Sequence, residues 1–274
     1  MSQDSQHDHI SKKRVVHTLP GIDAVTVRRD EPYGGADGAA LTMDLYYPPG
    51  FKRGTRAPAV IFVTGFSDAG AEKMLGCKLK EMGSYVSWAQ LAAASGLIGI
   101  TYTNREPAAD VHGVLEHVKQ NAASLGVDDN RVGVWACSGN VPNALSVLTQ
   151  NATHRVQCAV LCYPYLLDRD GSTLVADAAM RWGFVNPCAG KSVDDLPRDV
   201  PLFIARAGQD QMPGLNEALD RCVSEALPCN LPITVVNHAA APHAFDLFDD
   251  SEATREIVRG VLAFLQFHLR AAVP

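Results

Sequence analysis

No stretch of the 274-residue chain approaches the about 18 consecutive apolar residues of a membrane-spanning helix. The first fourteen residues are polar, with His7, His9 and the basic run Lys12-Lys13-Arg14, and lack the apolar core of a signal peptide. The expectation is a cytoplasmic protein without a membrane span. Basic residues are not in excess, 24 Lys and Arg against 30 Asp and Glu, so neither nucleic acid nor an anionic membrane surface is indicated as a partner. Pairs with C-x-x-C spacing are missing and the cysteine count, 7, is odd, which points to reduced thiols. Cys158 and Cys162, spaced for one face of an apolar strand, read as core packing. Histidine–carboxylate clusters with ligand spacing and glycine-rich phosphate loops are also missing, so no metal or organic cofactor is implied. Nor does a composition break mark a linker, and 47% hydrophobic content over this length fits one large domain.

What is present is an alternation of short apolar runs with helical patterns. Strands are expected at 24–28, 41–47, 59–63, 97–102, 131–135, 157–162, 201–205 and 232–236. The first two flank the turn-rich Tyr33-Gly-Gly-Ala-Asp-Gly38 and suit an antiparallel hairpin at a sheet edge. Helices are expected at 86–95, 110–125, 141–150, 174–182, 215–226 and 252–270. This rhythm predicts an α/β fold, a mostly parallel, doubly wound sheet with helices on both faces and ligands at the strands' carboxyl ends. The chain divides into a flexible N-terminal tail over 1–20 and a single domain over 21–274. Residues 163–200 break the rhythm and read as a cap-like insertion, with an ordinary crossover helix on long arms as the alternative.

The run Arg131-Val-Gly-Val-Trp-Ala-Cys-Ser-Gly-Asn140 is a strand ending at a small-x-Ser-x-small turn that leads into a helix. A sharp strand-to-helix turn exposes a serine Oγ, aims the next N–H at a developing oxyanion and adds the positive end of the helix dipole. Ser138 is therefore the candidate nucleophile. If Cys137 took that role, Trp135 would fill the crowded position two residues earlier, where Ser138 has Ala136; Cys137 instead packs beside the elbow or lines the acyl pocket. A base should come from a loop at the strands' carboxyl ends. His7, His9 and His17 fall in the tail or at an edge, His112, His117 and His268 in helices, and His154 at the opposite sheet end. His243 fits better than His238, because its loop is long enough to swing back over the sheet. Asp210, after the strand 201–205, is the orienting acid, with a helix N-cap as its plain alternative. Asp246, Asp249 and Asp250 read as caps of the final helix. The oxyanion donors are the Gly139 N–H and, from the loop after 59–63, the Phe66 N–H, with Gly65 permitting close approach.

With these residues assembled, the chain resembles the α/β-hydrolase superfamily and, within it, the dienelactone-hydrolase-like serine esterases. The likeness rests on Leu41-Thr-Met-Asp-Leu-Tyr-Tyr-Pro48, Ile61-Phe-Val-Thr-Gly-Phe66, the elbow run, Ala207-Gly-Gln-Asp210 and Pro242-His-Ala-Phe245. It implies ester cleavage through a covalent acyl-enzyme, without a cofactor, on a small or medium carboxylic ester as the small-molecule partner; self-association into a homodimer stays open. The chain departs from G-x-S-x-G at Ala136 and Asn140, and the asparagine has no explanation in the sequence. Tyr163, Tyr165, Trp182 and Phe184 are candidate pocket walls, with core packing the competing reading. A prolyl-oligopeptidase-like peptidase and a non-catalytic small-ligand binder are the alternatives.

Overall fold

The computed structural model describes residues 9–35, 38, 40–150, 153, 155–167 and 173–270. The strands β1 (Thr26–Gly34), β2 (Ala40–Tyr47), β3 (Ala57–Phe62), β4 (Ile98–Tyr102), β5 (Val127–Cys137), β6 (Ala159–Cys162), β7 (Leu202–Ala207) and β8 (Ile233–His238) form one sheet, ordered β1-β2-β4-β3-β5-β6-β7-β8. β2 runs antiparallel to both its neighbours, and every pairing from β4 to β8 is parallel. The expected edge hairpin and the mostly parallel, doubly wound sheet are what forms.

Strand alternation splits the core in two. Ile61, Val134, Leu161 and Ile204 point to one face, under α3 (Pro107–Gln120), α5 (Val141–Thr149) and α7 (Leu215–Ala226). Phe62, Trp135, Val160 and Phe203 point to the other, under α2 (Gly83–Ala94) and the last helix, α9 (Glu252–His268). Cys158 and Cys162 are buried in this second core as free thiols. The chain leaves β3 along α2 on one face and leaves β5 along α5 on the other. The helices that follow β3 and β5 therefore diverge to opposite faces, and ligands of such sheets bind at the strands' carboxyl ends where this happens.

Several elements differ from the sequence expectation. Residues 9–20, expected within a flexible tail, lie packed on the domain. Ile10–Lys12 form a 3-10 turn, Val15 is buried with its N–H donating to Ser87 Oγ at 3.0 Å, and the Val16 N–H donates to the Asp246 carbonyl at 2.9 Å. The apolar side chains of Ile10, Val15 and Leu19 pack on the second core and, with these two backbone bonds, hold the segment in place. His7 lies outside the described residues, as does His154. The helix α1 (Asp68–Leu75) was not expected; it buries only Ala71, so its apolar stripe is faint, but Ser67 caps its start and Gly76 its end. The helix expected at 110–125 begins earlier, with Pro107 in its first turn, and breaks at Asn121 into α3 and the short α4 (Ala122–Leu125). Within 163–200, residues 168–172 lie outside the described residues, and α6 (Thr173–Trp182) packs through Val175 and Ala178 against Tyr165, Phe184 and Leu215. Among the described residues no helix is long and apolar enough to cross a membrane.

Candidate active site

β5 ends at Cys137, a 3-10 turn covers Ser138–Asn140, and α5 follows at once. Ser138 has φ of 53°, a left-handed conformation that side chains with a β-carbon seldom adopt and that costs about 1–3 kcal/mol. The strain lifts the hydroxyl out of the sheet at the N-terminal end of α5. Its O–H donates to His243 Nε2 across 2.9 Å.

His243 lies in the loop after β8. Ala244, with φ of 54°, turns the chain there into the short α8 (Phe245–Phe248). The imidazole Nδ1–H donates to Asp210 Oδ2 at 2.6 Å, and the Asp210 side chain is fully buried. The second Asp210 oxygen accepts the Met212 N–H at 2.9 Å, and Gly214 rather than Asp210 caps α7. His238, the competing base, ends β8 with Nε2 2.9 Å from the Asp249 carboxylate, away from Ser138. The structure thus brings together the three side chains that the sequence singled out.

The expectation that Asp246, Asp249 and Asp250 cap the last helix needs correction. Ser251 is that cap; Asp249 braces it through the Ser251 and Thr254 hydroxyls, both at 2.8 Å. Asp246 is instead buried under the site, accepting from Trp88 Nε1 at 2.7 Å and the Tyr163 hydroxyl at 2.8 Å. Burial pushes its carboxyl above the usual range.

The loop after β3 presses against the serine turn. A Cβ on Gly65 would lie 2.6 Å from the Gly139 carbonyl oxygen, so only glycine allows this approach. The Gly65 N–H is taken by Asn140 Oδ1 at 2.7 Å, while Asn140 Nδ2 donates to the Cys137 carbonyl at 3.0 Å. Asn140, unexplained in the sequence, ties the two turns together. Phe184 from the insertion closes over Gly139, where a Cβ would lie 2.5 Å from its ring.

Ser138, Gly139 and His243 open into a cavity of about 250 Å³. Among the described residues no lysine, arginine, aspartate or glutamate lines it. Tyr163, Tyr165, Trp182 and Phe184 all face it, as does Cys137, whose thiol burial pushes up to about 12. The sequence reading missed Ile10, Met74, Leu79 and Met82 on the opposite wall. Their segments carry weak or short patterns, and no spacing rule places them at a strand's carboxyl end. Among the described residues no group of three or more histidine, cysteine, aspartate or glutamate side chains could hold a metal ion.

No family model and no curated protein sequence matches the chain. Solved structures do. Brefeldin A esterase, described as a bacterial homologue of human hormone-sensitive lipase, superposes with TM-score 0.69 at 16% identity over 96% of this chain and 82% of that one. A bacterial heroin esterase gives 0.68 at 15% identity over 93% and 88%. A thermostable esterase from Pseudomonas putida gives 0.68 at 14% identity over 92% and 85%. At these identities the likeness establishes architecture, and the fold of this chain is that of the α/β-hydrolases.

Proposed function

We propose that the protein is a serine hydrolase of small or medium neutral carboxylic esters, related in chemistry to the dienelactone-hydrolase-like esterases. The observation that carries this reading is the unbroken line from buried Asp210 through His243 to the Ser138 hydroxyl, at 2.6 and 2.9 Å, on the floor of an uncharged cavity. The esterases with the same fold support it.

In the forward step His243 Nε2 takes the Ser138 proton as Oγ attacks the ester carbonyl. Asp210 fixes the imidazole tautomer and balances the imidazolium. The Gly139 and Phe66 N–H groups receive the carbonyl oxygen as it becomes an oxyanion. His243 then gives its proton to the departing alcohol, leaving an acyl-serine. The same imidazole takes a proton from water, the hydroxide adds to the acyl carbon, and Ser138 leaves with its proton restored. The uncharged lining disfavours acids and amines as substrates, since a buried ion would lack a partner. A homodimer in the cytoplasm is compatible with this role.

The test is labelling with a fluorophosphonate probe, which needs an activated serine, alongside hydrolysis of p-nitrophenyl esters of rising chain length. Wild type is expected to label and turn over, and Ser138→Ala to do neither. A wild type inert to both would overturn the reading.

A further inference from the structure

Three buried asparagine side chains converge on residues 64–66, the loop after β3. Asn104 Nδ2 donates to Thr64 Oγ1 at 2.7 Å and to the Phe66 carbonyl at 3.1 Å. Asn143 Nδ2 donates to the Thr64 carbonyl at 2.7 Å and to the Pro107 carbonyl at 2.8 Å. Asn140 accepts the Gly65 N–H and returns its own N–H to the Cys137 carbonyl. The remaining groups are also engaged: the Thr64 N–H donates to the Tyr102 hydroxyl at 3.3 Å, and the Gly65 carbonyl accepts the Val185 N–H at 2.8 Å. Among the described residues, every backbone N–H and carbonyl of this loop is satisfied except one, the Phe66 N–H.

We infer that Asn104, Asn140 and Asn143 form a clamp that holds the Phe66 N–H as a preformed oxyanion donor, with Asn140 setting the loop's register against the nucleophile turn. The inference rests on the serine-hydrolase reading above. A backbone N–H without a partner is costly where water is excluded, and is retained where a ligand supplies the missing acceptor. Oxyanion stabilisation is effective only when its dipoles are already aimed and need not reorganise during reaction. A surface loop does not ordinarily meet that demand. Here it is met by side chains from the ends of three elements, β4, the elbow turn and α5.

The amide side chain is suited to this task at residue 140. It offers an acceptor to an N–H on one loop and a donor to a carbonyl on the other, and it carries no charge to oppose the oxyanion. A glycine there would release the Gly65 N–H and unlink the loops. All three asparagines are positioning residues: Asn104 and Asn143 lie outside the cavity lining, and Asn140, which borders it, has its amide engaged by the Gly65 N–H and the Cys137 carbonyl.

The experiment compares the full chain with Asn140→Ala and Asn104→Ala, counting active sites by fluorophosphonate titration so that unfolded protein does not enter the rates. For a p-nitrophenyl ester of a short acid, kcat per titrated site is expected to fall about 10- to 100-fold in each variant, less than the loss of a donor itself. KM should stay within about 3-fold, because the ground-state carbonyl makes little use of the hole. Affinity for an alkylboronic acid, whose tetrahedral adduct on Ser138 places an oxygen in the hole, should fall in parallel with kcat/KM. If Asn140→Ala does not fold, Asn104→Ala decides alone. Unchanged kcat per site, or a rise in KM with kcat held, overturns the clamp while leaving the hydrolase reading intact. Failure of the wild type to label removes that reading first.

Discussion

The hydroxyl of Tyr163 donates to the buried carboxylate of Asp246 at 2.8 Å while its ring meets the His243 imidazole edge-on, 4.9 Å between centroids. One side chain therefore satisfies a buried acid and steadies the base. Tyr163→Phe keeps the ring and removes one of the two side-chain donors to Asp246. The expected cost is about 1–3 kcal/mol in urea unfolding, with kcat/KM near the wild-type value. A variant as stable as wild type would show that the carboxyl finds another donor.

Cys137 and Ser138 are neighbours with opposite chemistry. Burial pushes the Cys137 thiol up to about 12, so it stays protonated and unreactive through neutral pH. Cys137→Ala is expected to retain activity within a few-fold, and iodoacetamide at neutral pH to leave wild type active. Ser138→Ala should lose at least about 10⁴-fold in kcat. Steady-state hydrolysis of one ester by both variants decides; the reverse ranking would move the nucleophile to the thiol.

Asp68 starts α1 with its side chain largely buried and Lys78 Nζ no nearer than 4.0 Å. Burial raises its carboxyl from 3.8 to about 6. The folded pKa lies above the unfolded one, so the folded state binds the proton more tightly. The stability this gives is complete below about pH 4 and is lost as pH rises through 6. Asp68→Asn removes the ionisation penalty. It should be more stable than wild type by about 1 kcal/mol at pH 7, after discounting for solvent screening, with the gain vanishing near pH 4. Thermal unfolding of both proteins across that range provides the check, and a gain that does not vary with pH excludes Asp68 as its source.

The sheet was legible because its strands are short, apolar and bounded by turn residues, and Ser138, Asp210 and His243 because each follows a strand at its carboxyl end. Asn104 follows β4 at the same edge and was open to the same rule, but asparagine after a strand is ordinary loop composition. Asn143 sits inside α5, where sequence offers no sign that its amide reaches back to Thr64. Asp246 was misread because acidic residues before a helix usually cap it, whereas here Trp88 and Tyr163, distant in sequence, draw it into the core. The cavity wall opposite α6 was hidden for a similar reason. Met74, Leu79 and Met82 occupy a short helix and a 3-10 turn whose apolar residues face the site as well as the core.

Ile10 gives that wall a further member from the N-terminal segment. The segment is held by the Val15 N–H on Ser87 and the Val16 N–H on the carbonyl of Asp246, the acid buried under the site. A longer acyl chain is expected to lie against this wall. Ile10→Ala removes about three methylene equivalents from it, each worth about 0.8 kcal/mol when fully covered and less at a half-buried position. For a p-nitrophenyl ester whose chain reaches Ile10, KM should rise about 3- to 30-fold with kcat nearly constant, since ground state and transition state lose the contact equally. The acetyl ester, too short to touch the wall, should be unaffected. Equal losses on both esters would instead mean that the segment acts through His243 and Asp246, and that the acyl chain lies on the Trp182 side.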